Sequence, residues 1–410
     1  MTPREPSSAA PDRNTTARRR ASDESIRAAV AAAAGATVVV GTLIGTAATM
    51  LARSVVTPPN RTREPVRIHD LIFDKGTTTS GQITLARTIE SETLGDYTIL
   101  WDHDQGKARL GATITATVDT VTRRFTEAEG TPLADATAVR VASAPQRDID
   151  DLELPYESVA IPGELGDMPA WFVPAPTPVD GNWVIHVHGR GATLTEPLRA
   201  VPFVAEAGWN SLVVRYRNDL GAPAAPTGKY GLGLSEWRDV DAAIEWAISR
   251  GATRIILAGW SMGGSIAAQT YFKSEFRDRI VGMFLESPAV NWTETLTYQA
   301  RKLRMPDWVA RRGMGLLDSP LSRTLVGIDE RIDLAELDLV ARAEEFDVPI
   351  LLLHSVADTV VPVTASQALA TARPDIIRYV EFTQARHTRL WNVDRITWER
   401  EVREWFTALA

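Results

Sequence analysis

The chain of 410 residues contains no cysteine. Disulfides and thiolate metal sites are therefore excluded, while the redox compartment stays open, because a disulfide-free protein can live on either side of a membrane. Histidine is scarce, with six in the whole chain. That is too sparse for an evident metal cluster, so neither a metal nor a cofactor is expected. Basic charge is also in short supply: the formal net charge is −8, and no concentrated basic surface exists to neutralise phosphates, so no nucleic-acid partner is expected. What is plentiful is apolar residues, at 44%, enough for a large core with room for a second domain.

The most informative segment is Gly259-Trp260-Ser261-Met262-Gly263. It follows the apolar run Arg254–Ala258, which reads as a strand, and leads into Gly264–Tyr271, which reads as a helix. A strand turning sharply into a helix holds a serine hydroxyl at the tip of a strained elbow, and flanking glycines let the elements approach without Cβ clashes. Ser261 is thus the candidate nucleophile.

An activated serine needs a base to take its proton and a carboxylate to orient that base. After Ser261 only two histidines remain, His354 and His387. His387 lies in a polar loop between the strand Ile377–Phe382 and a final helix, a suitable place for a base. Asp358 lies in the loop after the apolar strand Val348–Leu353, where the orienting acid belongs; Glu286 is the fallback acid. His354 reads as a structural residue at the strand end. The tetrahedral intermediate also needs two N–H donors. Met262, next after the nucleophile, supplies one by the geometry of the elbow. Arg190, in the loop Gly189-Arg190-Gly191-Ala192 after the strand Trp183–His188, is the choice for the other, with Gly189 and Gly191 as alternatives.

These pieces resemble the α/β-hydrolase superfamily, nearest to serine aminopeptidase-like and prolyl-oligopeptidase-like esterases. The resemblance rests on His188-Gly189-Arg190-Gly191, on Gly259–Gly263, on the Asp358 loop ending in Val361-Pro362, and on His387. The stretch from Arg217-Asn218-Asp219 through Gly228–Gly233 to Glu236-Trp237-Arg238-Asp239 is also similar to these enzymes. It covers the chain from about Tyr156 to the C-terminus. It implies a mostly parallel sheet clothed in helices, and acyl transfer to Ser261 with His387 and Asp358; the scaffold leaves the substrate open.

The N-terminus carries a second signal. From Ala28 to Leu51 there is no charged residue, a run long enough, at about 1.5 Å per residue, to cross a bilayer core of roughly 30 Å. Arg18, Arg19, Arg20 and Arg27 precede it and only Arg53 follows closely, a bias that places the N-terminus in the cytoplasm and the rest outside. The expected organisation is a disordered cytoplasmic tail (1–27), a transmembrane helix (28–51) and a linker (52–65); a cleaved signal peptide with a secreted product is the main rival reading, and a buried or disordered alanine-rich segment is the third. Gly41 and Gly45 have the small-xxx-small spacing that lets membrane helices approach, which would allow a homodimer.

Period-2 alternation, as in Tyr97–Trp101 and Ala112–Val118, predicts a small antiparallel β-rich domain over 66–150. It could hold the catalytic domain near the membrane, shield the active-site mouth or extend the sheet. The α/β-hydrolase domain is expected over 151–410. The excursion 288–346 is too long to be a structureless loop and predicts a helical cap over the serine, with Trp260 as a further wall. The expected function is hydrolysis of a carboxylic ester by a Ser–His–Asp acyl-enzyme mechanism on a small-molecule substrate. A membrane-anchored serine peptidase is the nearest alternative, and a hydrolase-fold scaffold or binding protein without turnover is the reading from another class.

Overall fold

The computed structural model describes residues 45–59 and 64–410. The expected tail 1–27 and most of the expected membrane span, residues 28–44, lie outside the described residues. The remainder of that span belongs to helix α1, residues 45–56. Here the structure corrects the expectation. Ala48, Leu51, Ala52 and Val56 are buried, and the last three join the main core of the catalytic domain. No helix among the described residues is long and apolar enough to cross a membrane. Residues 52–56, expected as linker, continue this docked helix because every third or fourth residue is small or apolar and so presents one stripe to the core.

Six strands follow: β1 (Val66–Phe73), β2 (Gly81–Ala86), β3 (Tyr97–Trp101), β4 (Gly106–Ala116), β5 (Thr120–Gly130) and β6 (Ala138–Ala142). They close into an antiparallel barrel in the order β1-β2-β5-β4-β3-β6. Alternation along the strands puts Ile83, Leu85, Ile99, Leu110, Phe125 and Val139 inside. Closure leaves no free edge, so this domain does not extend the catalytic sheet. Buried Arg123 donates to the carbonyls of Ser91, Thr93, Gly95 and Gly111, tying the long β2–β3 connection to the barrel.

The catalytic domain is an eight-stranded sheet of order β14-β13-β12-β11-β9-β10-β8-β7. The hairpin β7 (Glu157–Gly163) and β8 (Gly166–Val173) is antiparallel. The strands β9 (Asn182–Val187), β10 (Asn210–Val214), β11 (Arg254–Trp260), β12 (Ile280–Glu286), β13 (Ile350–Ser355) and β14 (Ile377–Phe382) are mutually parallel. Their near-continuous apolar runs are what burial on both faces demands. The helices are α2 (Val201–Glu206), α3 (Trp237–Ser249), α4 (Met262–Lys273), α5 (Trp292–Lys302), α6 (Asp307–Leu317), α7 (Ser322–Leu325), α8 (Thr364–Ala372), α9 (Leu390–Val393) and α10 (Arg395–Leu409). Residues of α3 and α4 pack with Ile185, Val187 and Leu257 on one face. On the other, α2 and α10 pack with Val184, Ile256 and Ala258. The chain runs from β9 to β10 on one side and places β11 on the other, so the loops after β9 and β11 diverge at a topological switch point. Crevices of this kind hold the ligand in open α/β sheets.

The excursion 288–346 does form helices, α5 to α7. Trp292, Leu296, Ala310, Met314 and Leu317 turn into the main core, and Ala48 and Leu51 of α1 lie against Gly313 of α6. The cap thus packs onto the core through these residues, while Leu303, Trp308 and Leu321 stay exposed.

Candidate active site

Ser261 sits where β11 passes into α4 with φ 53° and ψ −117°, a conformation rare for any residue with a Cβ and a known store of strain at reactive turns. The flanking glycines are required by contact as well as by conformation. A Cβ on Gly259 would meet Gly263 O at 2.6 Å, and one on Gly263 would meet Val187 O at 2.1 Å.

The turn brings together the residues expected from the sequence. Ser261 Oγ lies 2.8 Å from His387 Nε2, and His387 Nδ1 lies 2.7 Å from Asp358 Oδ2. Asp358 is buried, and its other oxygen accepts the N–H groups of Val360 (2.7 Å) and Val361 (2.9 Å). Burial alone would raise the Asp358 pKa. The two histidines outweigh it and hold the carboxylate below the ordinary value of 3.8. Burial likewise opposes charging of His387, but the Asp358 charge and hydrogen bond win, and its pKa lies above 6.5.

The loop after β9 runs directly alongside. A Cβ on Gly189 would come within 3.0 Å of the Ser261 Cβ, which brings the Arg190 backbone to the same corner. Gly189 N–H donates to Glu196 Oε2 at 2.7 Å, so this alternative oxyanion donor is already engaged. His188 stacks on Tyr216 and its Nε2 contacts Asp219 at 2.8 Å. Arg217 makes a bidentate pair with Asp239 at the start of α3. The Arg217–Asp239 stretch is therefore scaffolding that fixes the β9 loop.

His354 lies near the end of β13, as expected of a structural residue, and it also reaches the acid: its Nε2 lies 3.1 Å from Asp358 Oδ2, and its Nδ1 lies 2.7 Å from Ser366 Oγ. The four-residue spacing to Asp358 was the available signal. Trp260 does not wall the site. It is fully buried on the far face of the sheet, with its indole N–H on Glu286, because strand alternation points it away from Ser261. Glu286, the fallback acid, also accepts from Trp398 and makes no hydrogen bond to His387 among the described residues.

Ser261 and His387 open onto a cavity of about 340 Å³. None of its lining residues comes from 288–346. The facing wall is the barrel, through Ile89, Glu90 and the run Arg140–Ala144. The barrel is held there by Ser143 Oγ on Glu196 (3.2 Å), Asn392 Nδ2 on Ser143 O (3.1 Å) and Arg389 on Thr93 Oγ1 (3.1 Å). The β-rich domain thus lines the cavity, and its closed barrel does not extend the catalytic sheet.

A parallel sheet with a serine elbow at its switch point defines the class: an α/β-hydrolase fold. The prolyl oligopeptidase family matches residues 201–410, and the chain belongs to that family. It is a serine hydrolase, an esterase or a peptidase. Residues 74–142, most of the barrel, match a domain of unknown function (DUF8805). No curated protein matches the chain in sequence. Among solved structures, an esterase of Pyrococcus furiosus is similar at 19% identity, with a TM-score of 0.49, over 64% of this chain and 94% of that one. The esterase EaEST of Exiguobacterium antarcticum aligns at 16% identity and a TM-score of 0.43, over 61% and 99% of the two chains. Est1E of Butyrivibrio proteoclasticus, solved with ferulic acid, aligns at 15% identity and a TM-score of 0.46, over 61% and 98%.

Proposed function

We propose that this protein hydrolyses carboxylic esters through a covalent acyl-enzyme. Ser261 Oγ attacks the carbonyl carbon while His387 Nε2 takes its proton. Asp358 holds the imidazole in the Nδ1–H tautomer and stabilises the imidazolium. The N–H groups of Met262 and Arg190 receive the oxyanion, His387 returns its proton to the leaving alcohol, and water then releases the acid through the same base. The observation that carries this reading is the unbroken line of contacts from Ser261 Oγ through His387 to Asp358, 2.8 Å and 2.7 Å long, at a positive-φ serine facing a cavity.

Ester is favoured over peptide by the cavity wall. A peptidase that grips a free amino terminus needs an unengaged acidic or aromatic site. The lining contains no Phe, Tyr or Trp, and both oxygens of Glu196 are taken, by Gly189 N–H and Ser143 Oγ. On the side of a peptidase stand Glu90 on the barrel wall and the match to the prolyl oligopeptidase family itself. Fluorophosphonate labelling of wild type and of Ser261→Ala, followed by ester and peptide panels, tests the reading. Equal labelling of both proteins, or ester turnover retained in Ser261→Ala, rejects it.

For localisation we infer an external catalytic domain anchored by the uncharged residues that precede α1. The support is the arginine bias at Arg18, Arg19, Arg20 and Arg27. Release of the full chain from membranes by alkaline carbonate would reject the anchor.

A further inference from the structure

Among the described residues, the buried arginines and half-buried Arg147 have identifiable counterparts. Arg217 pairs with Asp239 and Arg147 with Asp151; Arg199 lies 3.8 Å from Glu286. Arg123 spends its donors on four barrel carbonyls. Two arginines break this pattern, and both flank His387 on the Ser261 cavity. Arg386 makes no side-chain hydrogen bond or ion pair among the described residues. Arg389 rests over the Tyr97 ring and donates to the neutral Thr93 hydroxyl, with no carboxylate within ion-pair distance among the described residues. A third cavity arginine, Arg190, bonds two backbone carbonyls, and its Nε is buried without a partner. The remaining one, Arg140, is neutralised by Asp104.

Arginine stays charged in any protein environment, and holding guanidinium groups partly out of water without a counter-charge is unfavourable. Burial accordingly pushes Arg389 and Arg190 below the usual arginine range. In a chain whose formal net charge is −8, this surplus of positive charge around the nucleophile is not a general property of the surface. The cavity's own carboxylates, Glu90 and Glu196, offset part of it, but neither makes an ion pair with Arg386 or Arg389 among the described residues, and Glu196 is held by Gly189 and Ser143. A bound oxyanion would supply the missing partner, with the forked geometry that guanidinium groups match best.

We propose that Arg386 and Arg389 form an anion subsite of the Ser261 cavity, so that the ester turned over carries a carboxylate or phosphate group near the scissile carbonyl. This rests on the esterase reading and names its substrate class. The two residues are specificity determinants: they lower the energy of ground state and transition state together by holding the charged end, and the bond making and breaking stays with Ser261 and His387.

The test uses the full-length protein and two matched ester pairs. On the acyl side, 4-nitrophenyl hydrogen glutarate is compared with methyl 4-nitrophenyl glutarate; on the alcohol side, 3-acetoxybenzoate with its methyl ester. Wild type is expected to prefer the charged member of one pair by about ten-fold or more in kcat/KM, with the preference falling as salt is raised. Arg386→Gln and the double variant with Arg389→Gln are expected to bring that ratio towards one. Competition by glutarate against inorganic phosphate on the neutral ester separates a carboxylate site from a phosphate site. No charged-over-neutral preference in either pair, or a preference that survives the double variant, overturns the proposal. Arg389→Gln removes the Thr93 contact and could disturb barrel docking. Arg386→Gln removes no bond among the described residues, and so decides the matter if the double variant does not fold. If neither class of ester is turned over and Ser261 takes no fluorophosphonate, the esterase reading is what fails. The subsite is then judged by the Tm shift that glutarate or phosphate produces in wild type against Arg386→Gln, and equal shifts reject it.

Discussion

One oxygen of Asp358 serves two imidazoles: Oδ2 lies 2.7 Å from His387 Nδ1 and 3.1 Å from His354 Nε2. With Oδ1 taken by two backbone N–H groups, the carboxylate has no idle lone pair and cannot rotate away from His387. His354 Nε2 faces only acceptors, Asp358 and Val361 O. The network therefore assigns it the Nε2–H tautomer, with Nδ1 accepting from Ser366.

Replacing His354 by Phe is expected to lower kcat by about ten-fold, the scale on which lost supporting hydrogen bonds act on a ligated or catalytic group. Loss of one donor also concentrates the Asp358 charge on His387, so the acidic limb of kcat/KM moves to higher pH. A variant with lower Tm but an unmoved limb would reduce His354 to packing.

In the proposed mechanism the pH dependence of wild type follows from His387, which can act as a base only when neutral. Its pKa is raised above 6.5, so kcat/KM falls as pH drops through a value higher than that. Asp358→Asn leaves the burial and removes the counter-charge, so the limb moves down, while kcat drops by about four orders of magnitude. The stability linkage has two signs. The raised His387 contributes stability that is full below pH 6.5 and lost as pH rises through its folded pKa. The depressed Asp358 contributes stability present above pH 3.8 and lost on acidification below it. A pH–rate profile of both proteins checks the first claim, and Tm against pH checks the second.

That Ser261, His387 and Asp358 meet was legible because a strand–turn–helix elbow and the order of acid and base after it are local patterns. The wall opposite the serine was not. Ile89, Glu90 and Arg140–Ala144 reach the cavity only because the barrel closes and docks through Ser143 and Thr93 on residues of the other domain, and such contacts leave no periodicity. The cap was legible as helices but not in position, since an apolar stripe such as Trp292, Leu296 and Ala300 specifies burial without naming the surface that buries it. Residues 45–51 misled for a related reason. An uncharged alanine-rich run fits a bilayer or a protein core equally well.

His186 gives a prediction about acid stability. It is fully buried in β9, with Nε2 3.0 Å from Ser211 Oγ and Nδ1 without a hydrogen-bond partner among the described residues. Burial pushes its pKa down to about 3. The unfolded chain binds this proton from about pH 6.5 downward and the folded one does not, so folding stability is lost as pH falls through that interval. His186→Leu is expected to shrink the difference in Tm between pH 7 and pH 5. An unchanged difference would place the acid sensitivity elsewhere.

The end of α1 and the loop after β9 are directly coupled. Arg190 Nη2 donates to Ser54 O at 2.6 Å and to Thr57 O at 2.7 Å, both carbonyls at the helix C-terminus, where a cation is favoured. Pro59 lies against Gly191, whose φ is +69°, and Tyr230 N–H bonds Val56 O at 2.8 Å. The segment entering the catalytic domain therefore clamps the loop from which an oxyanion donor is proposed. Arg190→Met keeps the length of the stem and removes both bonds, leaving the loop free to shift. Because displacement of a reacting group by about 1 Å costs up to about a hundred-fold in rate, kcat is expected to fall by about ten-fold or more while KM for a neutral ester changes less. Val56→Asp, which puts a charge into the buried face of α1, is expected to reproduce the kcat loss with Arg190 intact and to lower Tm as well. A full kcat in Arg190→Met would show that the loop holds its geometry without α1, and would free the N-terminal segment from any part in the chemistry.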